Sequence, residues 1–264
     1  MLSFALNHMT VPTLTLAQVR DLARSLGLNG LELRNDLDQP LFDGQDPTGD
    51  MLSGVKVFAL AEVKAFNAFD DATLTSAIAL MDLAVACNAA AIALIPQVGG
   101  DAVSQDGLRR AMESLGPELA ARGLVGLIEP IGFENSTLRH KADVVALMDR
   151  LPVGTYFGLI HDTFHHCLAA EDTIYPQHTK LVHISGVTDA DIALNDIRDA
   201  DRVLVDKNDR LGNIAQITEL LRGGYTGPLS FEAFSPDVHA LNDPKAALSR
   251  SIHFIENAVL AHAA

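Results

Sequence analysis

The sequence predicts a single (β/α)₈ barrel, a TIM barrel, formed by residues 1–264 as one domain. Short apolar runs typical of β-strands alternate with longer helical patterns along the whole chain, as expected of a parallel α/β fold. Eight such runs are present, and a length of 264 residues suits one barrel. A doubly wound open sheet is the alternative, but no glycine-rich GxGxxG turn follows the first strand.

Local signals support each element. In the first helix, Leu16, Val19 and Ala23 recur on one face, Thr15 is a suitable N-cap and Gly27 ends the pattern. The predicted strands are 3–7, 30–34, 55–60, 91–95, 125–129, 156–160, 180–184 and 228–232. The predicted helices are 15–26, 70–88, 104–122, 138–151, 168–175, 214–222 and 244–261. The long connection 186–212 after the seventh strand is typical of a lid.

The composition is that of an ordinary globular protein, with 48% hydrophobic, 20% charged and 5% aromatic residues. There are 34 acidic and 19 basic residues, and the formal net charge is −15. Such a surface repels phosphate backbones, and no run of Lys and Arg would build a local basic groove. We therefore predict no nucleic-acid partner.

Cysteine usage and apolar patterning indicate the compartment. The two cysteines, Cys87 and Cys167, lie far apart and outside any CxxC spacing, which favours a reducing compartment over a disulfide scaffold. The first residues have neither the basic nor the long apolar region of a signal peptide. No apolar segment approaches the ~20 residues that span a bilayer. These features predict a cytoplasmic protein with no membrane partner.

Four consecutive predicted strands end in residues that can bind a metal: Glu129, Asp162, His183 and Glu232. A barrel places the carboxyl ends of its strands around one mouth, where the active sites of such barrels lie. A single acid at a strand end is more often a helix cap or a salt-bridge partner, but four in succession favour a metal site. Three carboxylates and one imidazole suit Mn²⁺, which we favour, or Mg²⁺ or Co²⁺, with Zn²⁺ possible.

The segments around these residues resemble those of the xylose-isomerase-like sugar isomerase and epimerase barrels. The matching segments are Ile128-Glu129-Pro130, Asp162-Thr163-Phe164-His165, Val182-His183-Ile184-Ser185 and Ser230-Phe231-Glu232. The resemblance covers essentially the whole chain and is greatest to inosose (2-keto-myo-inositol) isomerases and ketose 3-epimerases. It implies that Glu129, Asp162, His183 and Glu232 bind one divalent metal and that Glu129 and Glu232 also transfer protons. It further implies that His165 and Arg210 contact substrate oxygens.

Other residues near the predicted mouth have less specific signals. Asn7 and His8 end the first strand, where they either contact sugar hydroxyls or form a turn. We favour a pairing of Arg34 with Asp36 over a role in the pocket. By strand alternation, His161 points away from Asp162 towards the helices. Phe66, Phe133 and Phe164 could form an apolar wall of the pocket, although core packing is the usual role of Phe.

The resulting hypothesis is a metal-dependent isomerase that converts a polyhydroxy ketone, with inosose as the favoured substrate, through a cis-enediolate. The metal would stabilise the enediolate, and the two glutamates would move the proton. Alternatives are a ketose 3-epimerase, a hydroxypyruvate-type isomerase, an inosose dehydratase, an endonuclease-type phosphodiester hydrolase and a non-catalytic metal-binding barrel. The expected partner is a small polyol or keto-sugar, and a homodimer or homotetramer is plausible.

Overall fold

The computed structural model describes residues 2–47, 51–100, 103 and 105–263. Eight parallel strands form a closed barrel in chain order, and β1 pairs with β8 to complete the ring. The strands are β1 Phe4–Asn7, β2 Gly30–Arg34, β3 Lys56–Val63, β4 Ala91–Leu94, β5 Val125–Ile128, β6 Phe157–Asp162, β7 Thr179–Ile184 and β8 Leu229–Phe231. The predicted TIM barrel is confirmed.

Helices follow most of the strands and pack around the barrel. They are α1 Leu16–Ser25, α2 Asp71–Ala86, α3 Gln105–Arg122, α4 Lys141–Met148, α5 Thr163–Ala169, α6 Asn213–Arg222, α7 Pro236–His239 and α8 Pro244–Ala263. A 3₁₀ turn at Leu41–Gly44 follows β2. In the described part of the chain, no helix is long and apolar enough to cross a membrane.

The first helix forms as its sequence predicts. Thr15 and Gln18 build a capping box, in which each side chain bonds the backbone of the other residue. Gly27 follows the helix with φ +67°, a conformation that costs glycine little. Leu16 and Val19 are buried against the barrel. The local signals and the tertiary packing therefore agree here.

Strand alternation divides the barrel into an outer and an inner apolar layer. Side chains such as Ile128, Leu159 and Val182 join the large core between strands and helices. A second, smaller cluster lies on the opposite face of the strands, inside the barrel. It consists of Ala59, Ala61, Ala91, Ala93, Leu127, Ile160 and Leu181.

The functional residues occupy the next inward positions along the same strands. Leu127, Ile160 and Leu181 belong to the inner cluster, and two positions later come Glu129, Asp162 and His183. Because side chains two residues apart share a face of a strand, these polar groups lie above the apolar floor at the carboxyl end of the barrel. The carboxyl end of the barrel interior is therefore polar, and the layer of side chains directly below it is apolar.

The helix after the sixth strand is the main departure from the prediction. We expected it at 168–175, but α5 spans Thr163–Ala169 and begins directly after Asp162. Asp162 accepts hydrogen bonds from the backbone N–H groups of Phe164 and His165, so it is the N-cap of this helix. His165 consequently lies in the first turn of a helix rather than in a loop.

Candidate metal centre

The structure brings the four strand-end residues into one buried group. Glu129, Asp162, His183 and Glu232 each offer a ligand atom, and these atoms lie within 4.8 Å of one another. All four side chains are buried. Three carboxylates with one imidazole form a donor set that fits a divalent metal ion. Metal binding by these residues, with Mn²⁺ as the favoured ion, stays a prediction.

His183 is oriented by an acid that the sequence analysis missed. Its Nε2 lies 3.0 Å from Oε2 of Glu32, which is fully buried in β2. Its Nδ1 faces the other carboxylates, 3.2 Å from Glu129 Oε1 and 3.1 Å from Glu232 Oε2. Carboxylates commonly orient metal-binding histidines through the nitrogen that does not bind the metal. Nδ1 of His183 is therefore the nitrogen that would bind a metal.

We expect Glu32→Gln to weaken Mn²⁺ binding by about tenfold, because an amide holds the His183 ring with less electrostatic support than a carboxylate. Isothermal titration with Mn²⁺ measures this effect. Glu219→Gln, an exposed change on α6, is the matched control and should leave the affinity unaltered. Equal affinities for the Glu32 variant and the control would remove Glu32 from the centre.

Asp162 uses its two oxygens for different purposes. Oδ1 accepts the backbone hydrogen bonds at the start of α5, at 2.7 Å from the nitrogen of Phe164 and 3.3 Å from that of His165. Oδ2 faces the buried group, 4.0 Å from His183 Nδ1. The capping bonds fix the carboxylate of Asp162. In the Asp-Thr-Phe-His segment, Asp162 is thus both a candidate metal ligand and the helix cap, and the next three residues form the first turn of the helix.

An arginine from the loop after β7 completes the group. Arg202 is 1% exposed, and its Nη2 lies 2.6 Å from Asp162 Oδ2 and 2.9 Å from Glu232 Oε2. Its guanidinium lies between the rings of Phe164 and Phe234, at 4.7 and 4.6 Å from the ring centres. Aromatic faces and carboxylates together stabilise a buried guanidinium. Arg202 thus links two of the candidate metal ligands.

Arg34 reaches the same group from the second strand. It pairs with Asp36 through Nε at 2.7 Å and Nη2 at 2.8 Å, as the sequence analysis favoured. Its Nη1 also donates to Glu232 Oε1 at 2.8 Å, and Nη2 lies 3.1 Å from Glu62 Oε2. Arg34 therefore pairs with Asp36 as predicted and, in addition, contacts one of the candidate metal ligands.

The two glutamates sit in different electrostatic environments. Burial opposes ionisation of Glu232, but the positive charges of His183 and Arg202 outweigh it and hold the pKa of Glu232 below its ordinary value. Burial raises the pKa of Glu129 above its ordinary value, and His183 only partly offsets this. The pKa of His183 is raised well above normal because its carboxylate neighbours outweigh burial.

A cavity of about 270 Å³ opens beside this group at the barrel mouth. Its walls include Arg34, Asp36, Glu62, Ile95, Val98, Glu129, Ile131, Phe133, His165, Asp199, Arg202, Glu232 and Phe234. His165 is buried, burial lowers its pKa, and its Nδ1 has no hydrogen-bond partner among the described residues. Because Nδ1 is shielded from solvent, a bond from His165 to a substrate hydroxyl would use the other ring nitrogen, Nε2. Of the three predicted wall phenylalanines, Phe133 lines this cavity.

Two predicted substrate contacts do not reach the cavity. Arg210 is exposed, and its guanidinium donates to the carbonyl oxygens of Asp189 and Ile192 in the same loop. The ring of His8 is held by the carbonyl oxygen of Leu14 at 2.9 Å. Neither residue lines the cavity, whereas Arg202 of the same loop as Arg210 does; the substrate contacts predicted for Arg210 and His8 stay predictions.

Asn7 has the turn role that the sequence analysis left open, and it also contacts the candidate centre. Its Nδ2 donates to Glu232 Oε1 at 3.0 Å, and its Oδ1 accepts from the backbone N–H of Met9 at 3.0 Å. The amide thus holds the Glu232 carboxylate from the side of β1. Asn7 is a support of the candidate centre and does not line the cavity.

The other histidines beside Asp162 belong to the helix layer. His161 lies 2.9 Å from Gln216 of α6 through Nε2, which confirms its predicted orientation. His166 Nδ1 lies 2.7 Å from Lys141 Nζ, and burial together with the charge of Lys141 lowers the pKa of His166 to about 4. His166 is therefore a neutral acceptor for Lys141. Both histidines act in packing behind the site.

A closed parallel barrel with a buried carboxylate and histidine group at its mouth defines a class of barrels with a candidate metal centre. Residues 20–258 match the family described as "Xylose isomerase-like TIM barrel". The chain belongs to this family, as its strand-end segments predicted. The sequence matches no curated protein.

Solved structures with the same fold include several from this family. A xylose isomerase domain-containing protein from Salmonella typhimurium is 26% identical, with a TM-score of 0.89 over 97% of each chain. The protein IolI, solved with a bound zinc atom, is 17% identical, with a TM-score of 0.79 over 98% of each chain. D-allulose 3-epimerase from Methylomonas sp., solved with D-allulose, is 15% identical, with a TM-score of 0.67 over 98% of this chain and 95% of its own. These neighbours show that the fold of this chain is shared with sugar epimerases.

Proposed function

We propose that this protein is a divalent-metal-dependent isomerase of a polyhydroxy ketone, with an inosose as the favoured substrate and a cis-enediolate as the intermediate. One observation carries the proposal. The carboxylates of Glu129 and Glu232 both lie within 3.2 Å of His183 Nδ1, and both line the mouth cavity. Two buried carboxylates beside one cavity are the groups that proton transfer at carbon requires.

The chemistry explains why a metal is part of the proposal. A hydrogen next to a ketone is too weakly acidic for a carboxylate to remove unaided. When bound, a divalent metal supplies electrostatic stabilisation of the negative charge on an enediolate, which lowers the barrier by several kcal/mol. Glu129, Asp162, His183 and Glu232 would hold it, with Mn²⁺ favoured and Mg²⁺, Co²⁺ or Zn²⁺ as alternatives.

The remaining steps belong to residues of the chain. One glutamate that removes a proton and returns it to the neighbouring carbon, while the hydroxyl proton passes between the two substrate oxygens, gives isomerisation. Removal by one glutamate and return by the other to the opposite face of the same carbon gives epimerisation. His165 would bond a substrate oxygen. Arg202 would keep Glu232 ionised and in position, and Phe133 would cover an apolar face of the substrate.

Two remote alternatives lose support. A phosphodiester hydrolase of the multi-metal type needs more ligands than the one group found among the described residues, and the net charge of −15 disfavours DNA. A non-catalytic barrel would be favoured if both glutamates formed salt bridges away from the mouth. Both instead line the mouth cavity.

We expect EDTA to remove the activity and added Mn²⁺, Mg²⁺ or Co²⁺ to restore it, because the substrate oxygens need a cation beside them. Solvent-deuterium exchange at the carbon next to the ketone of an inosose, followed by NMR, measures the reaction. Full exchange by a protein shown to be free of metal would overturn the metal role.

The same assay in D₂O separates the reactions that share this first step. An inosose and open-chain ketoses serve as substrates, and the products are identified by NMR. Deuterium at the neighbouring carbon with a moved carbonyl indicates isomerisation. Inversion at the exchanged carbon indicates a 3-epimerase, and loss of a β-hydroxyl indicates a dehydratase. Absence of exchange with every ketone tested would refute the proposed function.

A further inference from the structure

A second cavity adjoins the mouth cavity on the side of the loops that follow β4, β5 and β7. Its volume is about 510 Å³, roughly twice that of the mouth cavity. Val98, Phe133 and Asp199 line both cavities. A molecule bound at the candidate metal centre could therefore extend past Phe133 into the second cavity.

The combined volume of the two cavities indicates that one small polyol would leave much of the second cavity unfilled. The mouth cavity of about 270 Å³ is slightly smaller than the usual range of ligand pockets, about 300–1,000 Å³. A single sugar ring with its carbonyl near Glu129 suits such a volume. The second cavity has room for another ring of similar or larger size. Such a ring could bind there without rearrangement of the barrel.

The walls of the second cavity combine apolar surface with amide groups. Leu168, Leu194 and Ile197 contribute apolar side chains, and Leu194 is 41% exposed. Asn135 and Asn195 contribute carboxamides at the exposed side. An apolar wall bordered by a few polar groups is the usual chemistry of a pocket that orients an organic ring.

The charged residues of this cavity balance one another. Arg139 donates through Nε and Nη2 to the carbonyl oxygen of Gly132, and Arg198 donates through Nη1 to those of Asn195 and Ile197. Both guanidinium groups are thus engaged in holding the loops. Glu134 and Asp199 add two negative charges to these two positive ones, so the lining has no net charge with which to attract an anion.

Phe133 is placed to separate and align two rings. Its side chain makes edge contacts with Phe164 and His165, at 5.9 and 5.3 Å between ring centres. These contacts fix the ring at the boundary between the cavities. His165 is the proposed substrate contact, so the boundary lies close to the reacting part of the substrate.

We propose that the second cavity binds a neutral ring attached to the substrate, so that the substrate class is a keto-glycoside whose sugar ring carries a second sugar or an aryl group. The assignment of the keto-sugar ring to the mouth cavity rests on the proposed function, with a keto-glycoside in place of the inosose favoured there. The second ring packs against Leu168, Leu194 and Ile197, and the carboxamides of Asn135 and Asn195 bond its polar groups.

The test compares two probes with the Mn²⁺-loaded protein: phenyl 3-keto-β-D-glucoside and 3-keto-D-glucose. Isothermal titration should give an affinity at least about tenfold higher for the phenyl glycoside, because the phenyl ring is buried in the second cavity. Ala200→Trp fills this cavity and should remove the difference while the affinity for 3-keto-D-glucose changes less than about twofold. Leu194→Ser removes part of the apolar wall and should reduce the difference several-fold.

Ala215→Trp, an exposed change on α6 away from both cavities, is the matched control and should retain the difference. Equal affinities for the two probes, no binding of either, or an undiminished difference in Ala200→Trp would each overturn the inference. Deuterium exchange on the same probes distinguishes the two proposals. If the affinities follow the expected pattern but neither probe exchanges deuterium, the proposed isomerase is refuted and the second-ring site remains supported.

Discussion

At least one of Glu129→Gln and Glu232→Gln should lower the rate of deuterium exchange next to the ketone by at least about a hundredfold. A glutamine keeps the size of the side chain but can neither take up nor release the proton. Each change also removes one of the three carboxylates from the candidate centre, so a loss of metal would mimic a loss of base. The metal content of each variant must therefore be measured with its exchange rate, and rates are compared at saturating Mn²⁺.

Glu219→Gln on the exposed face of α6 is the control for the same chemical change and should exchange at the unmodified rate. The two variants also distinguish the two modes of reaction. If one glutamate acts alone, one variant loses exchange entirely and the other retains part of it. If both act, as in epimerisation, each variant loses conversion but one retains exchange. Unaltered exchange in both metal-loaded variants would contradict the role of these carboxylates.

The predictable part of the site lies on the strands. Strand alternation fixes which side chains face the inside of the barrel, and the carboxyl end of each strand fixes the height at which they lie. Glu129, Asp162, His183 and Glu232 were found because each stands at the end of an apolar run. The family resemblance pointed to the same four residues, and the structure brings them together.

Glu32 had a signal that the sequence analysis did not use. An acid in the middle of the apolar run Gly30–Arg34 needs a partner when buried, and alternation places it on the same side as Arg34. The partner, His183, is 151 positions away in sequence. A prediction of this pair would require the register between the strands, and local sequence patterns carry no information on that register.

The arginine that enters the site could not be chosen from sequence in the same way. Arg198, Arg202 and Arg210 all lie in one long irregular loop, which has no period to indicate which of them points inwards. The structure decides through packing, since Phe164 and Phe234 form a slot that only Arg202 enters among the three. The start of α5 was missed for a related reason, because Asp162 was assigned as a ligand and not also as a helix cap.

Arg202→Met should destabilise the metal-free protein by about 3–5 kcal/mol, which lowers Tm on the order of 10 °C. Arg202 Nη2 lies within 2.9 Å of carboxylate oxygens of both Asp162 and Glu232, and both acids are buried. Without the guanidinium, two like charges would remain close together with less compensation. Methionine retains much of the apolar packing between the rings of Phe164 and Phe234, so the loss reports mainly the charge.

The same variant should respond more strongly to metal than the unmodified protein. In the unmodified protein, Arg202 already balances the charge of Asp162 and Glu232, so a divalent ion adds less new stabilisation there. In Arg202→Met the ion supplies the missing positive charge, and the rise in Tm on addition of Mn²⁺ should be larger. Thermal unfolding in EDTA and in Mn²⁺, followed by circular dichroism, measures both effects. Arg250→Met, which removes an exposed arginine from α8, should behave as the unmodified protein does. An equal metal-induced rise in Tm for all three proteins would show that Arg202 does not balance the charge of the metal ligands.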